Sequence, residues 1–198
     1  MRTVIIGSGS WGTALGQVLA DNQQDVIVYG RNQAEVSDIN ENHHNTKYFK
    51  ETELNPLLTA TQDLSVVEGA DFVLLAVPTI AIEDMCKKID GYLKPNTIVI
   101  NVSKGFHPET NERMSDVIRR SISLNKLSSV VSLIGPSHAE EVVIRQLTTI
   151  DAISLKMEDA KQVQMLFSNR YFRIYTGSDE IGSELGAALK NVMAIASG

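Results

Sequence analysis

The amino terminus of the chain carries an apolar run, a glycine-rich turn and an amphipathic segment in immediate succession. The run covers residues 3–6 (TVII), and the turn covers residues 7–12 (GSGSWG). A strand, a G-x-G-x-x-G turn and a helix in this order are typical of dinucleotide-binding folds. In such a turn Gly7 permits the tight bend, Gly9 lets bare backbone approach a pyrophosphate, and Gly12 lets helix and strand pack closely. The turn contains no lysine, so backbone N–H groups would neutralise phosphate, and NTP hydrolysis is not indicated.

Composition and charge narrow the class of protein. Of the 198 residues, 43% are hydrophobic and 21% are charged, as in an ordinary globular protein with a real core. The formal net charge of −6, without a basic stripe, indicates no nucleic-acid partner. The single cysteine, Cys86, excludes an internal disulfide and suits a reducing compartment. Apolar runs such as 72–77 are too short to span a bilayer, and no signal peptide precedes the first strand. We therefore expect a cytoplasmic protein without a membrane span.

Short apolar runs alternate along the chain with segments of helical period. Strands are predicted at 3–6, 26–29, 72–77, 97–102, 130–134, 150–155 and 171–175. Helices are predicted at 12–20, 33–41, 79–89, 109–122, 137–145, 158–168 and 179–196. Strands that are apolar on both faces and joined by helices indicate a doubly wound, Rossmann-like α/β fold with a mostly parallel sheet. The polar stretch 42–55 is predicted to be a surface excursion.

Small, hydroxyl and basic residues gather where the predicted strands end. These ends read GSG at 7–9, GRN at 30–32, PT at 78–79, NVSKG at 101–105 and GPSHAEE at 135–141. In an open parallel sheet the ligand crevice lies beyond the carboxyl ends of the strands. Residues of these types at that edge suit a phosphorylated ligand.

With these motifs in view, the chain resembles the bacterial NAD(P)-dependent sn-glycerol-3-phosphate dehydrogenases. The resemblance is carried by GSGSWGTAL at 7–15, SKG at 103–105, GPSHAEE at 135–141 and ELGAALKNV at 184–192. It implies an oxidoreductase that reduces dihydroxyacetone phosphate to sn-glycerol 3-phosphate with NADPH or NADH, for glycerophospholipid precursor synthesis.

The chain departs from the family pattern at two places and at its end. Ala187 stands where the family usually has a second glycine, and residues 48–50 read YFK where the family usually has YLP. The resemblance makes residues 1–178 a Rossmann NAD(P)-binding domain and 179–198 the start of an all-helical substrate domain. Because the family continues into that domain, the chain looks like a truncated fragment that we expect to be inactive alone. The oligomeric state stays open, with a homodimer as one option.

Lys190 is the candidate general acid for the ketone reduction. The positions three and four residues away are Gly186, Ala187, Met193 and Ala194, all small or apolar, where a solvated helix face would carry polar partners. Partial desolvation disfavours the charged form of a lysine, which eases proton donation near neutral pH. The general acid/base lysine of the family aligns here. The alternative is an ordinary solvated lysine.

Lys104, which is also a candidate catalytic residue, and the motif at 135–141 are the candidate substrate contacts. Lys104 follows a predicted strand, so its ammonium group is expected in the crevice, near substrate oxygens and the nicotinamide side of a cofactor. The resemblance implies that Lys104 contacts both ligands. It also implies that Gly135 and Ser137 contact glycerol phosphate and that Ala139 approaches the cofactor.

The same motif has interpretations that need no substrate. Ser137 and Glu140 have the spacing of a capping box, with Ser137 as the N-cap of the following helix. His138 lies beside glutamates, but the spacing is not His-Glu-x-x-His, so no metal site is predicted.

Arg31 bears on the choice of coenzyme. An NAD-specific site usually has Asp or Glu at the end of the second strand to hold the ribose 2′-hydroxyl. Here GRN occupies 30–32, and no acid appears before Glu35. A carboxylate would repel a 2′-phosphate, whereas Arg31 can bind it and stack on adenine. NADP(H) is therefore predicted to bind at least as well as NAD(H). The amides of Ser10 and Trp11 are predicted to face the pyrophosphate, and the family binds its cofactor at both positions.

Two other functions are compatible with the sequence. A related hydroxyacid dehydrogenase would have the same architecture, although the GPSHA and LKN motifs favour glycerol phosphate. A non-catalytic dinucleotide-binding module would fit a chain that lacks most of the helical domain. Such a module would have no need to retain both Lys104 and Lys190.

Overall fold

The computed structural model describes residues 1–197, except for the side chains of residues 190, 191, 193, 194 and 197. The strands are β1 (Arg2–Ile6), β2 (Asp25–Tyr29), β3 (Thr59–Thr61), β4 (Phe72–Leu75), β5 (Thr97–Asn101), β6 (Leu127–Ile134), β7 (Thr148–Ile153) and β8 (Phe172–Gly177). The α-helices are α1 (Ser10–Asp21), α2 (Gln33–Ser37), α3 (Thr79–Asp90), α4 (Met114–Ser121), α5 (Ala139–Val143), α6 (Met157–Phe167) and α7 (Glu180–Ser197). A π-helical turn (Asp38–Asn42) follows α2, and a 3₁₀ turn (Leu64–Val67) precedes β4.

The described residues form one 8-stranded sheet in the order β3-β2-β1-β4-β5-β6-β7-β8. Neighbouring strands are parallel except for β6 and β7, which pair antiparallel. Strand β1 lies between β2 and β4, and Thr3 is in register with Val26 on one side and Phe72 on the other. The strand order reverses at this point, where doubly wound sheets open a crevice beyond their carboxyl ends. The glycine-rich turn follows β1 directly and therefore lies in that crevice.

Both faces of the sheet are covered by helices. Val4 and Ile6 belong to the core layer that includes residues of α3 and α4, whereas Ile5 belongs to the layer with α1, α5 and α6. The alternation follows from the two-residue period of a strand. Strands β4 and β5 are buried along their whole length, as the apolar runs at 72–75 and 98–100 predict. This packing fixes the positions of the strand ends that form the crevice.

Helix α3 illustrates the amphipathic crossovers. Its buried residues are Ile82, Met85, Cys86 and Ile89, which are three or four positions apart and share one face. Burial, together with nearby carboxylates, raises the pKa of the Cys86 thiol to about 12. Within the part of the chain that the structure describes, no helix has the length and apolarity needed to cross a bilayer.

The predicted doubly wound, mostly parallel α/β fold is confirmed, with local corrections. The short polar strand β3 and the 3₁₀ turn are not predicted, because neither contains an apolar run long enough to indicate an element. The helix predicted at 33–41 ends at Ser37 and gives way to the π-helical turn. The helix predicted at 109–122 begins only at Met114, since Asn111 has a φ of 57°, which interrupts a right-handed helix. The domain boundary after residue 178 stays a prediction.

Most residues of the segment 42–55 are exposed or partly exposed, as the predicted surface excursion requires, but three of them are buried and hold the segment against the core. Asn45, Phe49 and Leu54 are only 1%, 5% and 2% exposed. Phe49 and Leu54 also belong to the core layer that includes residues of α1. Buried positions in this segment are too irregularly spaced to show a strand or helix period, so the polar residues between them dominate the sequence pattern.

Candidate functional site

The three glycines of the turn differ in what surrounds them. Gly7 has a φ of +120°, and a Cβ there would lie 2.5 Å from the backbone oxygen of Ala76. A Cβ on Gly12 would lie 1.9 Å from the backbone oxygen of Gly7. A Cβ on Gly9, by contrast, would meet no described atom within 4 Å. The fold itself thus requires glycine at positions 7 and 12, whereas the open space at Gly9 leaves room for a ligand to approach bare backbone.

Helix α1 opens onto this space with uncapped backbone donors. Gly9 is its N-cap residue, and among the described atoms no side chain makes a cap hydrogen bond. The first N–H groups of a helix have no acceptor within the helix, and the helix dipole adds positive potential there. The described first turn, which includes Ser10 and Trp11, contains no acidic side chain. This helix end has the properties of an anion site.

A cavity of about 860 Å³, which we call the turn cavity, lies over the glycine-rich turn. It is lined by Ile6, Gly7, Ser8, Gly9, Ser10, Trp11, Tyr29, Arg31, Asn32, Glu35, Lys47, Tyr48, Ala76, Val77, Pro78 and Met85. Arg31 lies on the wall, at the end of β2, where the sequence predicts it. A second cavity of about 300 Å³ shares Trp11 and Val77 with the first and reaches Lys104. The two together are large enough for an extended ligand.

The carboxylate of Glu35 is tied to the turn and to a lysine. Its Oε2 accepts a hydrogen bond from Ser8 Oγ at 2.6 Å, and its Oε1 accepts one from Lys47 Nζ at 2.7 Å. Burial alone would raise the pKa of Glu35, but the hydrogen bonds from Lys47 and Ser8 outweigh it and lower the pKa. Glu35 is therefore ionised and paired at neutral pH.

Asn45 fastens the segment 42–55 to the turn. Its Nδ2 donates to the backbone oxygen of Ser8 at 2.9 Å and to Thr13 Oγ1 at 2.8 Å. Because Asn45 is buried, these bonds are shielded from competition with water. The segment is thereby hydrogen-bonded to the glycine-rich turn, and its residues Lys47 and Tyr48 line the turn cavity.

Lys104 lies beside Trp11 with two of the other predicted substrate residues, Gly135 and Ser137. A narrow cleft, which we call the Lys104 cleft, is lined by Trp11, Leu15, Val102, Lys104, Leu133, Gly135, Ser137 and Ile150. Lys104 Nζ lies 5.4 Å from the centroid of the Trp11 ring, within cation–π range. Ser103 Oγ donates to the backbone oxygen of Val77 at 2.6 Å, which joins the ends of β5 and β4. Lys104, Gly135 and Ser137 are thus brought together next to the turn cavity.

The capping box predicted for Ser137 and Glu140 is wrong. Helix α5 begins at Ala139, and its N-cap residue is His138, which makes no side-chain cap hydrogen bond in the described structure. Ser137 is instead buried, with 5% exposure, and lines the Lys104 cleft. Tertiary packing has therefore overridden a local helix-start signal.

Only glycine fits at position 135, because the chain there passes close to Ile150 of β7. A Cβ at this position would lie 2.6 Å from Ile150 Cγ2 and 3.0 Å from Ile150 Cα. The close approach leads the chain into the cleft and sets the position of Ser137. Ala139 is 3% exposed and belongs to the core. It is not among the residues that line the turn cavity or the Lys104 cleft, so its predicted cofactor contact stays a prediction.

Helix α7 reaches the same edge of the sheet. Glu184 and Ala187 line a small cleft together with Lys104. Glu184 accepts hydrogen bonds from the backbone nitrogen of Ser115 at 3.2 Å and from Ser115 Oγ at 2.7 Å, which attach α7 to α4. Burial raises the pKa of Glu184, and the Ser115 hydrogen bonds offset this only in part. The side chain of Lys190, one turn after Ala187, lies outside the described residues, so its role stays a prediction.

Several lining residues are not found by reasoning from the sequence. Asn32 belongs to the predicted strand end at 30–32, whereas Tyr29, the last residue of β2, would have been found if the strand-end rule had included the last residue of the strand. Lys47 has no such signal, because its segment follows no strand. Tyr48 belongs to the 48–50 stretch that departs from the family pattern, and it nevertheless lines the turn cavity.

The fold and the turn define a dinucleotide-binding α/β domain. A family model described as NAD-dependent glycerol-3-phosphate dehydrogenase N-terminus matches residues 2–160. The chain therefore belongs to this family, and the resemblance inferred from the four sequence motifs is confirmed.

Curated relatives and solved structures agree with the family match. A glycerol-3-phosphate dehydrogenase (NAD(P)+) of Streptococcus gordonii is 43% identical over 198 residues, which are 100% of this chain and 59% of the relative. One from Streptococcus pyogenes is 44% identical with the same coverage. The glycerol-3-phosphate dehydrogenase structure from Coxiella burnetii has a TM-score of 0.87 at 28% identity, covering 99% of this chain and 59% of that chain. The one from Plasmodium falciparum has a TM-score of 0.88 at 26% identity, covering 99% and 57%. The chain thus spans about 59% of the length of the curated relatives it matches.

Proposed function

We propose that this chain is the coenzyme-binding part of an enzyme that reduces dihydroxyacetone phosphate to sn-glycerol 3-phosphate, reversibly, with NADPH or NADH. The observation that carries the proposal is the open space at Gly9, which faces the uncapped N-terminus of α1 in a cavity of about 860 Å³. A diphosphate fits this combination, because it needs close backbone approach and positive potential. The names of the curated relatives support the reaction.

The coenzyme would lie along the turn cavity. Gly7, Gly9, Ser10, Trp11 and Gly12 would hold the diphosphate, and Arg31 would meet the adenosine end. Because Arg31 is a cation with a planar guanidinium group, it suits a 2′-phosphate and an adenine face. The coenzyme is accordingly NADP or NAD, with NADP(H) bound at least as well as NAD(H).

The substrate would occupy the Lys104 cleft, next to the nicotinamide end of the cavity. When bound, the nicotinamide supplies or accepts the hydride. Lys104 would hold substrate oxygens through its ammonium group, and Gly135 and Ser137 would contact glycerol phosphate. Lys190 would donate a proton to the oxygen of the substrate carbonyl as that oxygen becomes a hydroxyl. The burial of Ser137 supports this arrangement, since a buried hydroxyl gains from a polar partner.

Location and assembly are further parts of the proposal. A cytoplasmic location is supported by the single cysteine, Cys86, which is buried and has a raised pKa, as suits a protein that needs no disulfide. A homodimer would be tested by light scattering on the purified protein. The partner that we propose for the site is the small phosphorylated substrate, without a nucleic acid.

Isothermal titration calorimetry with NADPH and with NADH tests the coenzyme proposal. We expect heat of binding and an increase in Tm with both, and a Kd for NADPH no larger than that for NADH. Absence of both heat and thermal stabilisation at saturating coenzyme would contradict the proposal as a whole. A strong preference for NADH would contradict the role of Arg31 alone.

Turnover is tested by following oxidation of NADPH in the presence of dihydroxyacetone phosphate. We expect little or no turnover by these 198 residues alone and turnover by a chain of the relatives' length. Glyoxylate and hydroxypyruvate, offered in the same assay, would identify a hydroxyacid dehydrogenase instead. Coenzyme binding without turnover by the longer chain would favour a non-catalytic module.

A further inference from the structure

One acidic side chain lines the turn cavity within the described part of the chain, and its position is informative. Glu35 lies on α2, shortly after β2, close to where a dinucleotide fold can hold a ribose hydroxyl with a carboxylate. Both of its oxygens already accept hydrogen bonds, from Ser8 Oγ at 2.6 Å and from Lys47 Nζ at 2.7 Å. Both carboxylate oxygens of Glu35 are therefore hydrogen-bonded to the protein, at the end of the cavity where an unpaired carboxylate would bind the ribose hydroxyls of NAD(H).

Lys47 owes its position to the buried part of its segment. Asn45, two residues before it, is 1% exposed and bonded to Ser8 and Thr13. The side chain of Lys47 itself is 57% exposed, whereas that of Glu35 is 9% exposed. Lys47 Nζ also lies 5.0 Å from the centroid of the Tyr48 ring. The exposed lysine is thus paired with a largely buried carboxylate.

The charges lining the turn cavity depend on this lysine. Arg31 and Lys47 are its cations and Glu35 is its anion among the described lining residues, so the lining is net positive. Without Lys47 the lining would be neutral, and the carboxylate of Glu35 would face the ligand. A carboxylate accepts hydrogen bonds from a ribose diol and repels a phosphate.

We propose that Lys47 is a specificity-determining residue for the coenzyme, which favours a 2′-phosphate by pairing with Glu35. The pairing withdraws the carboxylate from ribose hydroxyls, and it keeps the adenosine end of the cavity net positive. Arg31 then acts beside a carboxylate whose charge is balanced by Lys47, rather than beside an unpaired one. This inference rests on the proposed function, because it assumes that a nicotinamide dinucleotide occupies the turn cavity.

The test compares Kd values for NADPH and NADH in matched variants, measured by calorimetry. We expect Lys47→Met to raise the Kd for NADPH about tenfold and to leave the Kd for NADH unchanged or lower. Glu35→Gln with Lys47 intact should shift the ratio the other way, since it removes the anion and keeps both cations. Lys50→Met, in the same segment but not lining the cavity, should behave like wild type.

Two further binding measurements localise the effect, and a third measurement checks the fold. In a Glu35→Gln background, Lys47→Met should change the Kd ratio less than it does in wild type, because the carboxylate it shields is gone. Competition with adenosine 2′,5′-bisphosphate and with AMP should reproduce the shift without the nicotinamide half. Thermal unfolding of each variant would show whether the fold is kept. If Lys47→Met does not fold, Glu35→Gln still carries the test.

The outcomes separate the two proposals. If wild type binds both coenzymes but neither variant moves the Kd ratio more than Lys50→Met does, the role of Lys47 is refuted and the proposed function stands. If wild type binds neither coenzyme, the proposed function fails first. A fall in affinity for NADPH and NADH alike in Lys47→Met would also refute specificity, since it would mark a purely structural lysine.

Discussion

The substitution Gly9→Ala is expected to affect coenzyme affinity and the stability of the fold differently. Gly9 has φ −71° and ψ −176°, an extended conformation that alanine adopts without strain. Its Cβ would enter open space. A Gly→Ala change at a compatible position stabilises a protein by about 0.4–1 kcal/mol, because the unfolded chain loses freedom. We therefore expect Gly9→Ala to fold with wild-type stability or slightly better.

We expect Gly9→Ala to weaken the binding of the coenzyme. A methyl group in this space would push a diphosphate away from the backbone amides of the first turn of α1. The loss of one hydrogen bond to a charged group costs about 1.5–3 kcal/mol, which corresponds to an increase in Kd of about 10- to 150-fold. Because the added methyl group touches no described protein atom within 4 Å, such a loss would have to arise from the ligand itself.

Gly12→Ala is the matched comparison. Its Cβ would lie 1.9 Å from the backbone oxygen of Gly7, and backbone cannot move aside as a flexible side chain can. We expect a loss of unfolding free energy of about 3 kcal/mol or more. Thermal and urea unfolding, combined with calorimetry using NADPH, measure both variants. Wild-type affinity in a folded Gly9→Ala would refute the placement of the diphosphate, and wild-type stability in Gly12→Ala would refute the packing argument.

Three further predictions concern the supports of the site. Asn45→Ala should lose about 1–3 kcal/mol of unfolding free energy in urea titrations, because it leaves the buried backbone oxygen of Ser8 without one of its donors; an unchanged value would mean that the 42–55 segment does not brace the turn. Binding of NADPH should quench the emission of Trp11, the single tryptophan, and constant emission at saturation would place the coenzyme elsewhere. The folded state raises the pKa of Glu184, so wild type binds this proton more tightly when folded than when unfolded. The unfolding free energy of wild type should therefore fall relative to that of Glu184→Gln as the pH rises from the ordinary glutamate pKa through the raised one. Urea titrations at a series of pH values measure both free energies. If their dependence on pH were the same in the two proteins, burial of Glu184 would have no such effect.

Local patterns were sufficient for the elements that carry the fold. The run TVII followed by GSGSWG predicts β1, the turn and α1, because strand burial and glycine sterics act over a few neighbouring residues. The surroundings of Gly7 and Gly12 agree with the tight bend and the close packing assigned to them, and the space at Gly9 is open, whereas the approach of a pyrophosphate to Gly9 stays a prediction. Apolar runs of the right length likewise predict the buried strands β4 and β5.

Local patterns failed where distant parts of the chain meet. Ser137 has the spacing of an N-cap, yet it lies buried in the Lys104 cleft because the chain at Gly135 packs closely against β7. The segment 42–55 looks polar, yet Asn45 is buried against the turn. Each of these outcomes depends on how elements pack, which no window of neighbouring residues contains.

The sequence by itself determined the order of the helices and of every strand except β3, the glycine-rich turn, and the family, since these depend on burial period, local sterics and motif identity. Only the tertiary structure decided which polar groups meet. Ser8 and Glu35 are 27 positions apart, and Ser115 and Glu184 are 69 apart. Such pairs form because the sheet order and the packing of helices bring their backbones together, and hydrogen bonds over a few ångströms then select the partners.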